Sequence, residues 1–331
     1  MDFRPKILDA LKEKEGAWVS GEALSDILNV SRTTIWKQVK RLQTEGYGIE
    51  SSSKKGYRLS ASPDLLSPDE VFPGLETRVF GRQHYIYYQE IDSTNNLARE
   101  LASEGYPEGT VVVAETQTAG RGRRGRNWYS PGRQGIYVSI VLRPKLPLMD
   151  ISRITLVSAA AVAETLEKDL QLQPKIKWPN DILVNNKKMA GILAEAVTDM
   201  DSIEFIVVGI GLNINNQAGD FPSDFKMNAT SALAENGQPA SRVKTLQALL
   251  ARFEGYYFQL TEGNFAPTLQ KCRNLSLVLG QQVRLDTING FLSGQAIGID
   301  ENGFLMVRDH SGIIHTVISG EITVLPPSTA P

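Results

Sequence analysis

Hydrophobic positions in the first sixty residues recur at the spacing of short amphipathic helices. Apolar stripes at 7–11 and 22–28 predict two helices. Ser31 is a favourable N-cap for a third helix over 32–44, since its hydroxyl can accept a backbone N–H at the helix start. Apolar residues on both sides of a polar turn at 51–56 then predict two strands. The pattern indicates three helices followed by a hairpin.

From residue 69 to residue 274 the pattern alternates between strand-like and helix-like runs, which is typical of an α/β domain. Strands are predicted at 85–88, 110–114, 136–142, 182–184, 192–196 and 205–210, and helices at 94–104, 151–170 and 242–260. Residues 277–325 contain short alternating runs with turns at Asn289-Gly290, Asn302-Gly303 and Ser311-Gly312.

These patterns predict an α+β multidomain chain. A winged helix–turn–helix is expected at 1–62 and a mixed α/β domain at 69–274, joined by a linker rich in Ser and Pro. A small SH3-like β-barrel is expected at 276–326.

The amino-acid composition narrows the kinds of protein that this chain can be. The 331-residue chain has a net charge of −2, which argues against a surface coated in positive charge, although a local basic face remains compatible with it. Cys272 is the only cysteine, so no intrachain disulfide is possible. The first residues lack the apolar core of a signal peptide and no later run is long enough to cross a bilayer, so we expect a cytoplasmic protein without membrane contact. With only three histidines, a zinc site or a Cys/His nucleophile is not expected, and no protein metal site is predicted.

The third predicted helix has the residue pattern of a DNA-recognition helix. Ile35, Val39 and Leu42 recur at helical spacing and would be buried, while the remaining positions include no acid. Such a face suits phosphates and base edges, and the basic turn would act as a wing. The predicted DNA-binding residues are Arg32, Thr33, Thr34, Lys37, Lys40, Lys54 and Lys55. The alternative is a solvated basic face on a protein-interaction domain.

A glycine–arginine segment at 120–126 is the most informative stretch. It matches G-x-G-x-x-G formally, but the dinucleotide fingerprint requires a helix to begin at the glycines, and Trp128 and the Ser130-Pro131-Gly132 turn follow instead. No Gly-Lys-Ser/Thr completes a Walker phosphate loop. Four arginines, Arg121, Arg123, Arg124 and Arg126, favour binding of a multiply charged anion. A purine ring of that ligand could stack on the Trp128 indole. The alternatives are a disordered basic loop or a nucleic-acid arm.

Two further segments extend this candidate site. Residues 175–184 contain Trp-Pro-Asn-Asp at a turn, and residues 187–195 begin with two lysines. Asn180 and Asp181 could be turn residues only, or the second wall of a nucleotide site. Residues 92–95, Asp-Ser-Thr-Asn, could simply cap a helix, or could hydrogen-bond a neutral polar head group.

These motifs occur in the order seen in biotin–protein ligases, and 209–213, Gly-Ile-Gly-Leu-Asn, matches another segment of that family. With the helix–turn–helix in front and the small barrel behind, the chain resembles the bacterial bifunctional form, a biotin ligase that is also the repressor of biotin genes. The resemblance covers nearly the whole chain, without a departure at the motif positions.

The resemblance implies a two-step reaction. Biotin and ATP, with Mg²⁺, give biotinyl-5′-AMP, and biotin then passes to a lysine of a biotin-accepting carboxylase subunit. The adenylate would also be the corepressor, favouring a homodimer on operator DNA. The resemblance implies biotin and adenylate contacts at Ser93, Thr94, Asn95, Gln117, Arg121, Gly122, Arg123, Lys188 and Gly191. Trp128, Asn180 and Asn213 are candidates for the adenine side.

The proposed chemistry agrees with the residue types. A carboxylate must attack the α-phosphorus of ATP, so cations are needed where the two anions meet; Arg121, Arg123 and Lys188 are the catalytic candidates. Asp181 is a candidate Mg²⁺ ligand or proton acceptor. Because a mixed anhydride hydrolyses unless water is excluded, we expect the 120–126 loop to fold over the adenylate and Arg123→Gly to weaken its retention. The rivals are a lipoate or octanoate ligase and a repressor that senses a metabolite without catalysis.

Overall fold

The computed structural model describes residues 3–14, 16–147, 150–199, 202–223, 228–287 and 290–325. The predicted turn residue Asn289 lies outside the described residues. The chain divides into two compact units, Met1–Pro73 and Gly74–Pro331. Within the described part of the chain, no helix combines the length and the apolar character that a membrane span requires.

The first unit is the predicted helix–turn–helix with a hairpin. Its helices are α1 (Arg4–Lys12), α2 (Gly21–Leu28) and α3 (Arg32–Thr44), and its antiparallel strands are β1 (Gly48–Ser52) and β2 (Gly56–Ala61). Ser31 caps α3 as expected, accepting the Thr34 N–H at 3.2 Å. The three predicted apolar stripes meet in one core, whose members include Ile7, Leu11, Leu24, Ile35, Val39 and Leu42.

The segment after the hairpin is an ordered part of the first unit. It contains the short helix α4 (Pro68–Val71), and Leu66 and Val71 are fully buried. Glu70 accepts hydrogen bonds from Lys12 Nζ at 2.9 Å and from the Tyr47 hydroxyl at 2.7 Å. These contacts explain why the unit extends to Pro73, beyond the predicted winged domain.

The second unit is built on a seven-stranded sheet with the order β3-β4-β5-β9-β8-β7-β6. Among the strand pairs that the described residues form in this sheet, β3–β4 is parallel and the others are antiparallel. The strands are β3 (Tyr85–Ile91), β4 (Val111–Gln117), β5 (Gly135–Leu142), β6 (Lys175–Lys177), β7 (Asp181–Val184), β8 (Lys187–Asp199) and β9 (Ser202–Asn213). The helices are α5 (Thr94–Ser103), α6 (Ile151–Asp169), α7 (Ala232–Asn236), α8 (Arg242–Thr261) and α9 (Ala266–Asn274). Helix α5 packs on β4, β5 and β9, and α6 packs on β8 and α8.

The C-terminal strands form a separate antiparallel sheet in the same unit, in the order β13-β12-β11-β10-β14. They are β10 (Gln282–Thr287), β11 (Gly290–Ile299), β12 (Leu305–Arg308), β13 (Ile314–Val317) and β14 (Glu321–Val324). The Trp178 indole N–H donates to the Gly303 carbonyl at 2.9 Å, and Ser152 donates to the Asn302 carbonyl at 3.0 Å. These bonds fix the small sheet against the seven-stranded one.

The long hairpin of β8 and β9 differs most from the sequence prediction. Both strands extend well beyond the predicted 192–196 and 205–210. The glycines and polar residues that ended the predicted strands, such as Gly191 and Gly211, pair across the hairpin in the middle of the sheet. Strand β6, with three residues, and the short helices α7 and α9 were not predicted because they are too short or too polar to show a periodic pattern.

Candidate active site

A small polar pocket lies where the N-terminus of α5 meets β4, β5, β8 and β9. We call it the head-group pocket; Ser93, Thr94, Asn95, Gln117, Gly191, Gly209 and Gly211 are among its lining residues. Its volume is about 40 Å³. Ser93, Thr94 and Asn95 are at most 4% exposed, so the motif at 92–95 is buried rather than a surface cap. Ser93 occupies the N-cap position of α5, yet its hydroxyl makes no capping hydrogen bond.

Gln117 is held in one orientation by the start of α5. Its Oε1 accepts the backbone N–H of Thr94 at 2.9 Å and the Thr94 hydroxyl at 3.1 Å. Its Nε2 donates to Ser130 Oγ at 2.8 Å. Because a backbone N–H can only donate, the Gln117 oxygen must face α5 and its amide nitrogen must face Ser130.

Asn95 is oriented in the same way from two other strands. Its Nδ2 donates to Glu195 Oε2 at 3.0 Å, and its Oδ1 accepts from Ser139 Oγ at 2.6 Å. Ser139 is fully buried in β5 and also lies 2.8 Å from the Thr94 hydroxyl. The pocket therefore presents neutral donors and acceptors whose directions are already set by the protein.

Glycines form the floor of this pocket because side chains would not fit there. A Cβ at Gly209 would overlap Asn95 Oδ1, and a Cβ at Gly211 would overlap the Trp128 ring. The Trp128 indole also lies over Gly191, where an added Cβ would meet the ring at 2.9 Å. Its Nε1 is buried and makes no hydrogen bond with any described residue. A buried hydrogen-bond donor without a partner destabilises the folded state. The Trp128 Nε1 therefore marks a position where a polar ligand atom would supply the missing acceptor.

The glycine–arginine loop is a tight turn, and no dinucleotide-type helix follows it. The Gly122 N–H donates to the Arg126 carbonyl at 2.7 Å, and Arg124 at the turn has the left-handed φ of 55°. After the loop the chain enters β5 through a turn at 132–134, without a helix. This agrees with the sequence argument against a Rossmann site.

The four arginines point to different partners. Arg121 binds Glu195 on β8, with Nη2 to Oε1 at 2.8 Å, so in this conformation its guanidinium is paired rather than directed at a ligand. Arg123 donates to Asn180 Oδ1 at 2.7 Å, and burial lowers the pKa of this guanidinium while nearby Asp181 acts in the opposite direction. Both Arg121 and Arg123 line the head-group pocket, and Arg123 is the one whose guanidinium is directed to Asn180.

The other two arginines contact the C-terminal sheet. Arg126 forms an ion pair with Glu321, and Arg124 lies 3.6 Å from the same carboxylate. Arg124 also donates to the Asp286 carbonyl oxygen at 2.8 Å. The hydrogen bond from Arg126 lowers the pKa of Glu321 below its usual range. The C-terminal sheet thus holds the outer part of the loop.

A second, larger cavity of about 510 Å³ adjoins the head-group pocket. At its wall, Lys188 Nζ lies 2.8 Å from Asp181 Oδ1 and 5.4 Å from the centre of the Trp128 ring. Asn213, a candidate for the adenine side, is buried and donates to the Thr230 carbonyl at 3.0 Å. Other lining residues are Lys177, Leu183, Asn186, Phe221, Asn228, Gly320 and Ile322.

Five residues line both cavities, and they mark the junction between them. They are Gly122, Arg123, Trp128, Asn180 and Lys188, all of which the sequence had placed in the site. Two cations therefore stand between a neutral polar pocket and a cavity of the size of a small-molecule site, about 300–1,000 Å³. Such a junction can bring two anionic groups together.

Sequence reasoning missed several residues of this arrangement. Ser139 and Glu195 orient Asn95, and Glu321 holds the loop. The only local signal was a polar residue inside an otherwise apolar strand, as at Ser139 within β5. That signal marks an unusual position but does not name its partner.

The metal prediction can be compared with the donor set. The described residues contain no cluster of three or more His, Cys, Asp or Glu that could hold a metal ion. Asp181 is a single carboxylate at the wall of the large cavity. Mg²⁺ commonly binds through one or two carboxylates together with substrate phosphates, so this donor set fits an ion that arrives with a nucleotide.

The predicted DNA-binding residues lie together in the first unit. Arg32, Thr33, Lys37, Lys40, Lys54 and Lys55 are exposed, and Thr34 is partly buried beside the cap. Arg32 pairs with Glu22 at 2.9 Å, and Lys55 Nζ lies 5.8 Å from the Trp18 ring centre. The first unit therefore carries basic residues on α3 and on the turn between β1 and β2, and their role in DNA binding stays a prediction.

Comparison with known families matches each part of the chain. The sequence model of the biotin/lipoate A/B protein ligase family matches residues 87–213, a helix–turn–helix model matches 4–58, and a model of the biotin protein ligase C-terminal domain matches 278–325. The solved structure of the biotin protein ligase from Aquifex aeolicus in complex with biotin and ATP superposes with a TM-score of 0.64 at 31% identity. It covers 73% of this chain and 99% of that one.

Curated relatives extend the match to the full arrangement. The bifunctional ligase/repressor BirA of Bacillus subtilis (strain 168) is 40% identical over 94% of this chain and 95% of its own length. The bifunctional ligase/repressor BirA of Escherichia coli (strain K12) is 30% identical over 93% of this chain and 94% of its own length. The chain therefore belongs to the biotin protein ligase family, in the branch of bifunctional ligase/repressors that carry a helix–turn–helix.

Proposed function

We propose that the chain forms biotinyl-5′-AMP from biotin and ATP, transfers biotin to a lysine of a carboxylase subunit, and represses transcription as an adenylate-bound dimer. The observation that carries the proposal is the junction of the two cavities at Arg123 and Lys188. The neutral polar groups of the head-group pocket suit a neutral bicyclic head, and a nucleotide suits the large cavity. The carboxylate of the first substrate then meets the α-phosphate of the second beside two cations.

The head-group pocket would bind the ureido ring of biotin. Ser93, Thr94, Asn95 and Gln117 are neutral polar residues that line it, and hydrogen bonds fix the orientations of Thr94, Asn95 and Gln117. Its volume of about 40 Å³ is too small for the ring, and the Trp128 indole lies on its glycine floor. Biotin binding therefore requires Trp128 to shift, which would also free its buried Nε1 to find a partner in the nucleotide.

Adenylation would proceed by direct displacement at the α-phosphorus. The biotin carboxylate oxygen bonds to phosphorus while the bond to pyrophosphate breaks. Lys188 and Arg123 would stabilise the charge that develops on the phosphoryl oxygens, because they are cationic donors at the junction of the two cavities. Lys188 is paired with Asp181 at 2.8 Å and would exchange that partner for the α-phosphate. Mg²⁺, brought by ATP, would neutralise the outer phosphates, with Asp181 as its protein ligand.

The transfer step needs no covalent enzyme intermediate. The amine of the acceptor lysine attacks the acyl carbon, and AMP leaves. Burial raises the pKa of Cys272, the single cysteine, to about 12, so its thiol is not an available nucleophile. Asp181 or the leaving phosphate would accept the amine proton, and orientation of the lysine would supply most of the rate.

The repressor activity would be coupled to this site through the loop. Retention of the adenylate would engage Arg121 and Arg123, and the loop would then fold over the mixed anhydride and exclude water. A dimer formed on this surface would place two copies of α3 on two half-sites of operator DNA.

One experiment tests the ligase. The purified chain is mixed with ATP, Mg²⁺ and an unmodified biotin-acceptor domain, and the intact mass of the acceptor is recorded with biotin or with lipoate. The expected result is the addition of one biotin, dependent on ATP, and no addition of lipoate. Addition of lipoate would establish the rival acyl ligase, and no addition of either would leave only the sensing function.

A further inference from the structure

One large apolar side chain stands on the basic face of the first unit. Trp36 on α3 is 51% exposed. It lies among Thr33, Lys37 and Lys40, which are also exposed and follow the i, i+3, i+4, i+7 spacing of a single helix face. The opposite face of α3 is buried, so this stripe is the surface that the helix offers to a partner.

The exposure of Trp36 has no structural explanation within its unit. The other tryptophan there, Trp18, is half-buried, and the cations of Lys55 and Arg58 lie over its ring at 5.8 and 5.1 Å. No ring contact, cation–π contact or side-chain hydrogen bond is found for Trp36 among the residues described. An indole on the surface is apolar area that a bound partner would remove from water.

We propose that Trp36 reads the 5-methyl group of a thymine in the major groove. This inference rests on the DNA-binding function proposed above and assigns sequence preference to a residue that sequence reasoning left out. In the major groove the thymine methyl is the base feature that apolar side chains recognise. Lys37 and Lys40 flank the ring on the same face, so phosphate contacts would seat the helix while the ring meets a base edge.

The charge of the stripe favours DNA over a protein partner. Thr33, Lys37 and Lys40 surround the indole, and the wing adds Lys54, also exposed. No ion pair involves Lys37, Lys40 or Lys54 within the described residues. Unpaired cations around one aromatic ring suit a polyanion whose bases carry apolar groups.

The test separates the thymine contact from DNA binding in general. The full chain, with biotin, ATP and Mg²⁺, is used to select duplexes from a random-sequence pool, and affinities for the selected duplex are measured by fluorescence anisotropy. Each thymine is then replaced singly by deoxyuridine, which removes only the methyl group. The proteins compared are wild type, Trp36→Ala and Trp36→Phe. Ile27→Ala serves as the matched control, since Ile27 is an exposed apolar residue on α2, outside the stripe.

Wild type is expected to lose about fourfold in affinity at one thymine of each half-site, the effect of one methyl-sized apolar group. Trp36→Ala should bind the selected duplex about tenfold more weakly and show no further loss at that thymine. Its affinity for a scrambled duplex and its ligase activity should not change. Trp36→Phe should retain part of the sensitivity, and Ile27→Ala should behave as wild type.

The inference alone fails if the wild-type protein is insensitive to every methyl deletion, or if the Trp36→Ala variant stays sensitive at the same thymine. Equal weakening on selected and scrambled duplexes would show a sequence-independent backbone contact instead, which also contradicts the inference. If no duplex is enriched by the wild-type chain, the proposed DNA-binding function itself fails.

Discussion

The head-group pocket and the glycine–arginine loop are built for ligand recognition in opposite ways. In the pocket, Thr94, Asn95 and Ser139 are at most 4% exposed and are joined by hydrogen bonds to one another. On the loop, the side chains of Arg124 and Arg126 are 44% and 65% exposed and bind acidic groups of another sheet. A neutral ring with fixed donors and acceptors is bound best by groups already in place, since folding has oriented them. A polyanion is bound by cations that can exchange one anionic partner for another.

This contrast predicts where substitutions act. At the junction, a change at Lys188 should affect chemistry; a change at Arg123, which also belongs to the loop, should affect retention of the adenylate; and changes in the pocket should affect biotin alone. Changes at the C-terminal sheet should affect only the mobility of the loop. The expected effects decrease in that order.

At the junction, Lys188→Gln should slow formation of biotinyl-5′-AMP by about 10²- to 10³-fold, the usual loss when one preorganised donor to a developing anion is removed. Single-turnover release of pyrophosphate measures this rate. Lys187→Gln is the matched control, because Lys187 precedes it on β8 and is exposed. Equal losses in the two variants would show that the effect is general electrostatics.

In the loop, Arg123→Gly should accelerate dissociation of the adenylate by about tenfold to 100-fold. The reason is the loss of charge-assisted hydrogen bonds worth about 1.5–3 kcal/mol. Release can be followed by chasing labelled intermediate with unlabelled biotin and ATP. Arg133→Gly is a fitting control, since Arg133 is exposed and its φ of 60° suits glycine. Retention of the intermediate as tight as in wild type would show that Arg123 does not contact it.

In the pocket, Ser139→Ala should raise the Kd for biotin by about tenfold and leave the KM for ATP unchanged. The substitution removes the donor to Asn95 Oδ1, and an unsatisfied buried acceptor costs about 1–3 kcal/mol. Calorimetric titration with biotin measures the change. Ser158→Ala provides the control, because Ser158 is fully buried in α6 and bonds only its own helix at the Ile154 carbonyl. A matching change in the KM for ATP would argue against separate roles for the two regions.

At the C-terminal sheet, Glu321→Gln should increase tryptic cleavage within 121–126 by a few-fold, since the loop loses its carboxylate partner. Addition of biotin and ATP should restore protection. Glu301→Gln, at an exposed turn of the same sheet, should leave cleavage unchanged.

The same contact has a defined pH dependence. Because the folded-state pKa of Glu321 lies below its ordinary 4.5, the stabilisation is fully present above 4.5 and is lost as pH falls through the lowered value. Amide hydrogen exchange in the loop should therefore increase, relative to the rest of the sheet, only in that acid range. If neither the Glu321→Gln substitution nor the fall in pH alters tryptic cleavage or amide exchange in the loop, the C-terminal sheet does not hold the loop.

Much of the fold was predictable because it follows from local rules. The helix over 32–44 was predicted from its apolar spacing and the Ser31 cap, and the structure confirms both. The ends of β8 and β9 were not predicted correctly, because glycine and polar residues interrupt the apolar pattern from which a strand is predicted. In the folded sheet, Gly191 and Gly211 pair with each other and leave room for the Trp128 ring.

The sequence by itself determined the longer helices, the Ser31 cap and the motifs of the site, since each of these depends on residues within a few positions of one another. Only the tertiary structure decided that Arg123 stands at the junction of the two cavities while the other three arginines pair with Glu195 or Glu321. Asn95 meets Ser139 from 44 positions away, and Arg126 meets Glu321 from 195 positions away. Partners at such separations are decided by the packing of whole sheets. A hydrogen bond forms only at short range, and the residues next to a side chain in the sequence do not indicate which distant residue the fold brings close to it.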